Sequence, residues 1–155
     1  MNTKFYILIL SSFLIVNLTL AQTTTSAKTK EHKSSILSSH KSIKQKTASI
    51  GSDTVSLKKK QQHSKQIGKD LNNAYTREDS LYNSMDASKK ASLKTKHETI
   101  QGHHKKAIAS HKNLDNELSK QQPDSTKVNQ YNQELQQTID RANQQYENER
   151  YPEVF

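Results

Sequence analysis

The stretch LKTKHETIQGHHKKAIASHKNLDNEL, residues 93–118, decides the fold of this chain. Apolar or histidine side chains recur in it in alternating steps of four and three residues, at Leu93, His97, Ile100, His104, Ala107, His111, Leu114 and Leu118. This spacing is typical of the a/d seam of a helix that packs along a second helix. Gly102 lies off the seam and lowers the stability of the helix by about 1 kcal/mol relative to alanine.

A similar but weaker stripe precedes this stretch. Ile36, Ile43 and Ile50 are spaced by seven residues and predict a helix from about residue 30 to 50. Gly51 follows directly, where a helix is expected to stop. The companion heptad position, three residues after each isoleucine, is polar. We therefore expect this helix to depend on a neighbour for its stability.

Two further helices follow from the 3.6-residue period. The second helical stretch is the least regular, with apolar residues at Leu57, Ile67, Leu71, Ala74, Tyr75, Leu81, Tyr82 and Met85. The last lies between Pro123 and Pro152, with Val128, Tyr131, Leu135, Ile139, Ala142 and Tyr146 on one face.

The short connections at 51–53 and 122–125 favour antiparallel neighbours. One architecture has a long central helix over roughly residues 54–121, with a shorter helix folded back along each half. The other breaks near Ser80 into four helices. Narrow apolar stripes favour the first. The expected fold class is therefore all-α: an elongated antiparallel helical hairpin or coiled-coil-like bundle of three to four helices, with partial disorder.

The N-terminus resembles a secretory signal peptide. A short basic start is followed by an apolar run and by Thr19-Leu20-Ala21, a small-residue cleavage pattern. The run is interrupted by Ser11-Ser12 and is short for a membrane-spanning helix. We expect cleavage near Ala21, export to the periplasm or the cell exterior, a disordered lead-in at 22–29, a helical coiled-coil-like domain at 30–151 and a tail at 152–155.

Composition argues against a compact enzyme. The chain is 30% hydrophobic and has no Cys and no Trp, so it has little material for the dry, rigid surround of a buried active site. It also has no Gly-rich phosphate loop and no G-x-S-x-G elbow. We expect a non-enzymatic protein with no cofactor.

Positive charge is concentrated in the first two thirds of the chain. Residues 22–112 hold 19 Lys and Arg against 7 Asp and Glu. One interpretation is a solvated face whose positive charge balances the negative charge of the last helix. The other is a salt-sensitive surface for anionic polymers or membranes, formed by Lys58, Lys59, Lys60, Lys89, Lys90, Lys94, Lys96, Lys105 and Lys106. No motif for sequence-specific nucleic acid recognition is present.

Three histidines share one heptad position: His97, His104 and His111. Residues seven apart lie about 10.5 Å apart along a helix, so one helix cannot chelate an ion with them. A metal site would need a second copy of the chain, or His40 or His63 from elsewhere. The alternatives are a pH-sensitive seam or polar spacers without a special role.

Three Asp-Ser/Thr-apolar or similar triplets resemble the O-glycosylation sites that Bacteroidota use on exported proteins, with acceptors Thr54, Ser80 and Ser125. The functional expectation is surface contact: binding of anionic envelope or cell-surface polymers. The alternatives are a holdase-type, ATP-independent chaperone of the periplasm that covers unfolded clients, and His-based metal or pH sensing. A homo-oligomer through the heptad seams also fits this pattern.

Overall fold

The computed structural model describes the backbone of residues 3–147 and 151–152, and the side chains of residues 27–147 and 151–152. The described residues form four helices: α1 Thr3–Ile50, α2 Leu57–Asn83, α3 Ala87–Leu118 and α4 Ser125–Glu147. No strand occurs within these described ranges, so the predicted all-α class is confirmed.

The N-terminal helix is longer than expected. It includes residues 22–29, for which the sequence suggested a disordered lead-in. The side chains of the predicted signal peptide, residues 1–21, lie outside the described residues. A search of the described residues finds no helix with enough length and hydropathy to cross a membrane.

The expected long central helix is wrong, because a turn at residues 84–86 separates α2 from α3. The amide of Met85 donates to the carbonyl of Tyr82 at 3.2 Å. The Asp86 side chain then accepts from the amide of Lys89 at 2.9 Å and caps the first turn of α3. α2 and α3 pack against each other, so the observed fold is the four-helix alternative, with its break just after Ser80.

The turn between α3 and α4 is held by Glu117. Its Oε1 accepts from the amide of Asp124 at 3.0 Å, and its Oε2 from Lys120 Nζ at 2.7 Å. The bond from Lys120 holds the pKa of Glu117 below its usual value. One carboxylate thus ties together the two ends of this turn.

Each helix has two neighbours. α1 packs against α2 and α4, and α3 packs against the same two helices. The buried apolar residues form two clusters. The first cluster lies toward the turns 51–56 and 119–124: Ile43, Ile50, Ile67, Leu71, Ala107, Leu114, Leu118, Val128, Leu135 and Ile139. The second lies toward the turn 84–86: Ile36, Ala74, Leu81, Leu93, Ile100, Tyr146 and Tyr151.

Most predicted core positions are buried, and the exceptions include the half-buried Tyr75, Tyr82 and Met85. Leu57, at the first residue of α2, is 37% exposed. His97, His111 and Tyr131 are half-buried. Beyond α4, Tyr151 and Pro152 are buried, and the Tyr151 ring packs edge-on against Tyr146 with centroids 5.5 Å apart. Tyr151 and Pro152 therefore extend the core beyond α4.

Candidate functional site

The nine predicted polyanion-binding lysines, here called the lysine surface, lie on α2 and α3. Three stand at the start of α2, four in the first turns of α3 and two in the middle of α3. Six are exposed, namely Lys58, Lys59, Lys89, Lys94, Lys105 and Lys106, and the other three are half-buried, namely Lys60, Lys90 and Lys96.

The structure does not gather these lysines into one patch. Gln61 Nε2 donates to the carbonyl of Leu118 at 2.7 Å, so the lysines at residues 58–60 lie near the end of α3. Residues 89–96 lie at the opposite end of the α2–α3 pair. α2 has 27 residues, and a helix of that length spans about 40 Å. The lysine surface is therefore a long, interrupted track.

Most of the lysine surface carries uncompensated charge. Lys94 pairs with Glu98 at 4.0 Å, and both side chains are more than 60% exposed, which makes this pair weak. By contrast, Lys44 pairs with Asp140 at 2.7 Å, on the α1–α4 side. Within the part of the chain that the structure describes, no ion pair involves Lys58, Lys59, Lys60, Lys89, Lys90, Lys105 or Lys106.

The three seam histidines contact three different partners. His97 Nδ1 lies 3.0 Å from Glu78 Oε1. His111 Nε2 lies 2.8 Å from the carbonyl of Ser64 and donates a hydrogen bond to it. His104 Nε2 lies 2.9 Å from His40 Nε2. Among the described residues, no group of three or more His, Asp or Glu side chains could hold a metal ion.

His40 and His104 form a buried polar pair. Both rings are at most 1% exposed. His40 Nδ1 also lies 3.3 Å from Asn143 Oδ1, whereas His104 Nδ1 has no hydrogen-bond partner in the described structure. Burial is the main cause that lowers the pKa of His40 to about 4 and that of His104 to about 3. Both rings are therefore neutral at physiological pH.

A second buried polar group is centred on Glu78 of α2. Glu78 is 0% exposed; it accepts hydrogen bonds from His97 and from the hydroxyl of Tyr146. The Tyr82 ring stacks on His97 with centroids 3.9 Å apart. Burial first, and the Glu78 charge second, raise the pKa of Tyr146 and of Tyr151.

Sequence reasoning missed Glu78 and Asn143, and it named His40 only as a ligand that could complete a metal site. A signal for His40 was present, since the α1 stripe continues in steps of four and three as Ile36, His40, Ile43, Thr47 and Ile50, and all of these are buried. The predicted companion position lay three residues after each isoleucine, whereas His40 and Thr47 lie four residues after the preceding isoleucine. Glu78 likewise stands seven residues after Leu71 and seven before Met85. A charged residue on an apolar stripe is a signal for a buried polar contact.

Two surface hollows border these elements. A groove of about 340 Å³ lies between α2 and α3, lined by Tyr75, Asp79, His97, Glu98, Gln101, Gly102 and Lys105. A hollow of about 230 Å³ lies at the turns 51–56 and 119–124, with Val55, Leu57, Leu118, Pro123 and Val128 as its apolar lining.

The predicted O-glycosylation acceptors are all exposed. Thr54 lies in the turn between α1 and α2, and Ser125 is the first residue of α4. Ser80 lies inside α2, where its hydroxyl donates to the carbonyl of Thr76 at 2.8 Å. Thr54 and Ser125 are thus at one end of the molecule and Ser80 near the other.

Residues 77–154, just over half of the chain, match the family described as TmcB, TPR repeats. The chain belongs to this family. The match covers the end of α2 and all of α3 and α4. No curated protein and no solved structure matches the chain.

TPR repeats are helix–turn–helix units of 34 residues, and repeats of this kind generally mediate protein–protein interactions. The helical class of the family agrees with the structure. α3 alone has 32 residues, so the α3–α4 pair is longer than one regular repeat. Membership supports a protein as the partner in a general sense.

Proposed function

We propose that this chain is an exported, non-enzymatic helical protein that binds linear polyanions through the lysine surface. The observation that carries the proposal is a set of seven lysines on α2 and α3 that form no ion pair within the described residues: Lys58, Lys59, Lys60, Lys89, Lys90, Lys105 and Lys106. The track length of about 40 Å suits an extended anionic chain better than a compact anion. An elongated, coiled-coil-like bundle is the arrangement that this proposal assumes.

Electrostatics supports this mode of binding. Exposed lysines lose little hydration when they meet a flexible polyanion, and they attract it over about one Debye length. The ligand chemistry is a chain of carboxylates, sulfates or phosphates. Three sources are an acidic protein segment, an acidic polysaccharide and an anionic membrane surface; the family favours the first.

The test is binding of polyglutamate, a sulfated polysaccharide and anionic vesicles, each at about 50 and about 300 mM salt. The variant Lys105→Gln/Lys106→Gln removes two unpaired charges. Its matched control, Lys44→Gln/Lys46→Gln, removes two lysines that already pair with Asp140 and Asp70. We expect weaker binding and a smaller salt dependence only in the first. Binding that is insensitive to salt, or equal losses in both variants, refutes the proposal.

Chaperone activity is the second candidate, because the family contacts proteins. Among the described residues, the large apolar side chains that are exposed are Leu57 and Ile108, each at 37%. A holdase needs more apolar surface than this, so the helices would have to separate before a client binds. Suppression of client aggregation at equimolar protein supports this candidate, and no suppression at any pH from about 5 to about 7.5 rejects it.

A further inference from the structure

A polar layer divides the core between the two apolar clusters. On α1, His40 lies between Ile36 of the second cluster and Ile43 of the first. On α3, His104 lies between Ile100 and Ala107 in the same way. On α4, Asn143 follows Ile139 and precedes Tyr146. The layer is therefore at the same level on three helices.

The hydrogen bonds of this layer fix one protonation state. Asn143 Oδ1 can only accept, so His40 Nδ1 carries a hydrogen and His40 Nε2 is bare. His104 Nε2 must then donate to His40 Nε2 across 2.9 Å. His104 Nδ1 is left as a bare nitrogen without a partner among the described residues. The contact needs one Nε2–H and one bare Nε2, so it is lost when both rings are charged.

A proton added to either ring is poorly accommodated. On His40 it would go to Nε2, and the contact would then persist only with the His104 hydrogen moved to the buried Nδ1, which has no acceptor. On His104 it would go to the buried Nδ1, which has no acceptor. A buried charge without a partner costs several kcal/mol in general.

The charged and titratable neighbours of the two rings do not offset the cost of protonating them. Lys44 on α1 and His103 on α3 oppose protonation, and Glu147 on α4 is exposed. On α2, the oxygens of the buried Glu78 already accept from Tyr146 and His97. His97 differs from the pair, because a protonated His97 forms an ion pair with Glu78.

We propose that the His40–His104 contact is an acid-sensitive latch, which joins α1 to α3 at neutral pH and releases them when the surroundings acidify. Release loosens the layer between the two clusters and exposes their apolar side chains. The latch is independent of the lysine surface, and its test needs no ligand.

The sign follows from the pKa values of about 4 and about 3 in the folded chain, against 6.5 for an unfolded histidine. Between these values the unfolded chain binds more protons, so acidification favours unfolding. The stability is complete above about pH 6.5 and falls as the pH decreases below it. Each histidine raises the unfolding constant about 30-fold between about pH 7.5 and about pH 5, which is about 1000-fold for the pair.

The experiment is urea unfolding of the full chain at about pH 7.5 and about pH 5, at constant salt. The variant His40→Leu/His104→Leu removes both titrating rings and leaves no unpaired partner. The control is His32→Gln, on the half-buried ring that lies 3.4 Å from Arg77. We expect the wild type and the control to show the large rise in the unfolding constant, and the double variant less than a tenth of it. An equal rise in the double variant, or no rise in the wild type, overturns the latch.

A second measurement applies if the double variant does not fold. Ring ¹⁵N shifts of the wild type report the tautomer and the charge of each histidine. At about pH 5 we expect neutral rings, with the proton on Nδ1 of His40 and on Nε2 of His104. Rings that are already protonated at that pH, or that show the opposite tautomers, overturn the latch.

Discussion

His40 and His104 meet with their Nε2 atoms 2.9 Å apart, although α1 and α3 are not neighbouring helices. Glu78 and Tyr146 make the equivalent contact between α2 and α4, the other pair of non-neighbours. The His40 and Tyr146 rings also pack edge-on, with centroids 5.9 Å apart. Polar contacts thus cross the core in both directions at adjacent levels, where apolar packing alone would leave the helix pairing less specific.

Substitution Glu78→Ala should lower the free energy of unfolding by roughly 2–4 kcal/mol, because it leaves the Tyr146 hydroxyl and His97 without their shared acceptor. Urea denaturation at neutral pH measures this loss. The control Glu134→Ala, on an exposed carboxylate that accepts only from Gln130, should change stability by less than about 0.5 kcal/mol. Similar values for the two variants would show that the Glu78 contacts are not formed.

The apolar stripes could be predicted from the sequence because the period of a buried helix face is fixed by helix geometry. Ile43, Leu114 and Leu135 all lie where the spacing placed them. The number of helices could not be decided in the same way. The break at residues 84–86 depends on the cap of Asp86, and the same residue types occur as cap candidates from Thr76 onward.

The candidate site was only partly accessible to sequence reasoning. The exposure of the lysines follows from their place off the apolar stripes. Their separation into groups at opposite ends depends on the turn between α2 and α3. The partner of His104 stands 64 residues away in the chain, and no local pattern relates two such positions. Contacts between residues so far apart in the chain can be identified only from the folded structure.

The two glycines inside α2 and α3 should respond in opposite ways to alanine. A Cβ at Gly102 would meet nothing within 4 Å, so Gly102→Ala should raise stability by about 0.5–1 kcal/mol through helix propensity. A Cβ at Gly68 would lie 2.8 Å from His111 Cε1. That ring is held by its bond to the carbonyl of Ser64, so Gly68→Ala should lower stability. Thermal melts of the two variants provide the comparison, and stabilisation by Gly68→Ala would contradict the close approach of His111.

The helix caps offer a second matched pair. The Asp86 side chain accepts from the amide of Lys89, whereas Ser56, at the same position of α2, makes no side-chain cap bond. Asp86→Ala should therefore lower the free energy of unfolding by about 1 kcal/mol. Ser56→Ala should change it by only a few tenths of a kcal/mol. If both changes cost the same, the Asp86 cap does not contribute to the turn between α2 and α3.

The buried tyrosines at the end of the core should differ when each loses its hydroxyl. Tyr146 donates to Glu78, so Tyr146→Phe should lower stability by roughly 1.5–3 kcal/mol. The Tyr151 hydroxyl is buried near Glu78 but forms no hydrogen bond among the described residues, so Tyr151→Phe should change stability by less than about 1 kcal/mol. Urea denaturation at neutral pH distinguishes the two outcomes.

Alkaline pH tests the same pair of tyrosines. Burial raises the pKa of both phenols above 10 in the folded chain, so the unfolded chain loses its phenol protons first. Stability is therefore complete below about pH 10 and falls as the pH rises above it. The wild type should lose stability between about pH 9 and about pH 11, and Tyr151→Phe should lose less, because one buried phenol is gone. An equal loss in this variant would mean that the Tyr151 hydroxyl is hydrated in solution and that the C-terminal segment does not close the second cluster.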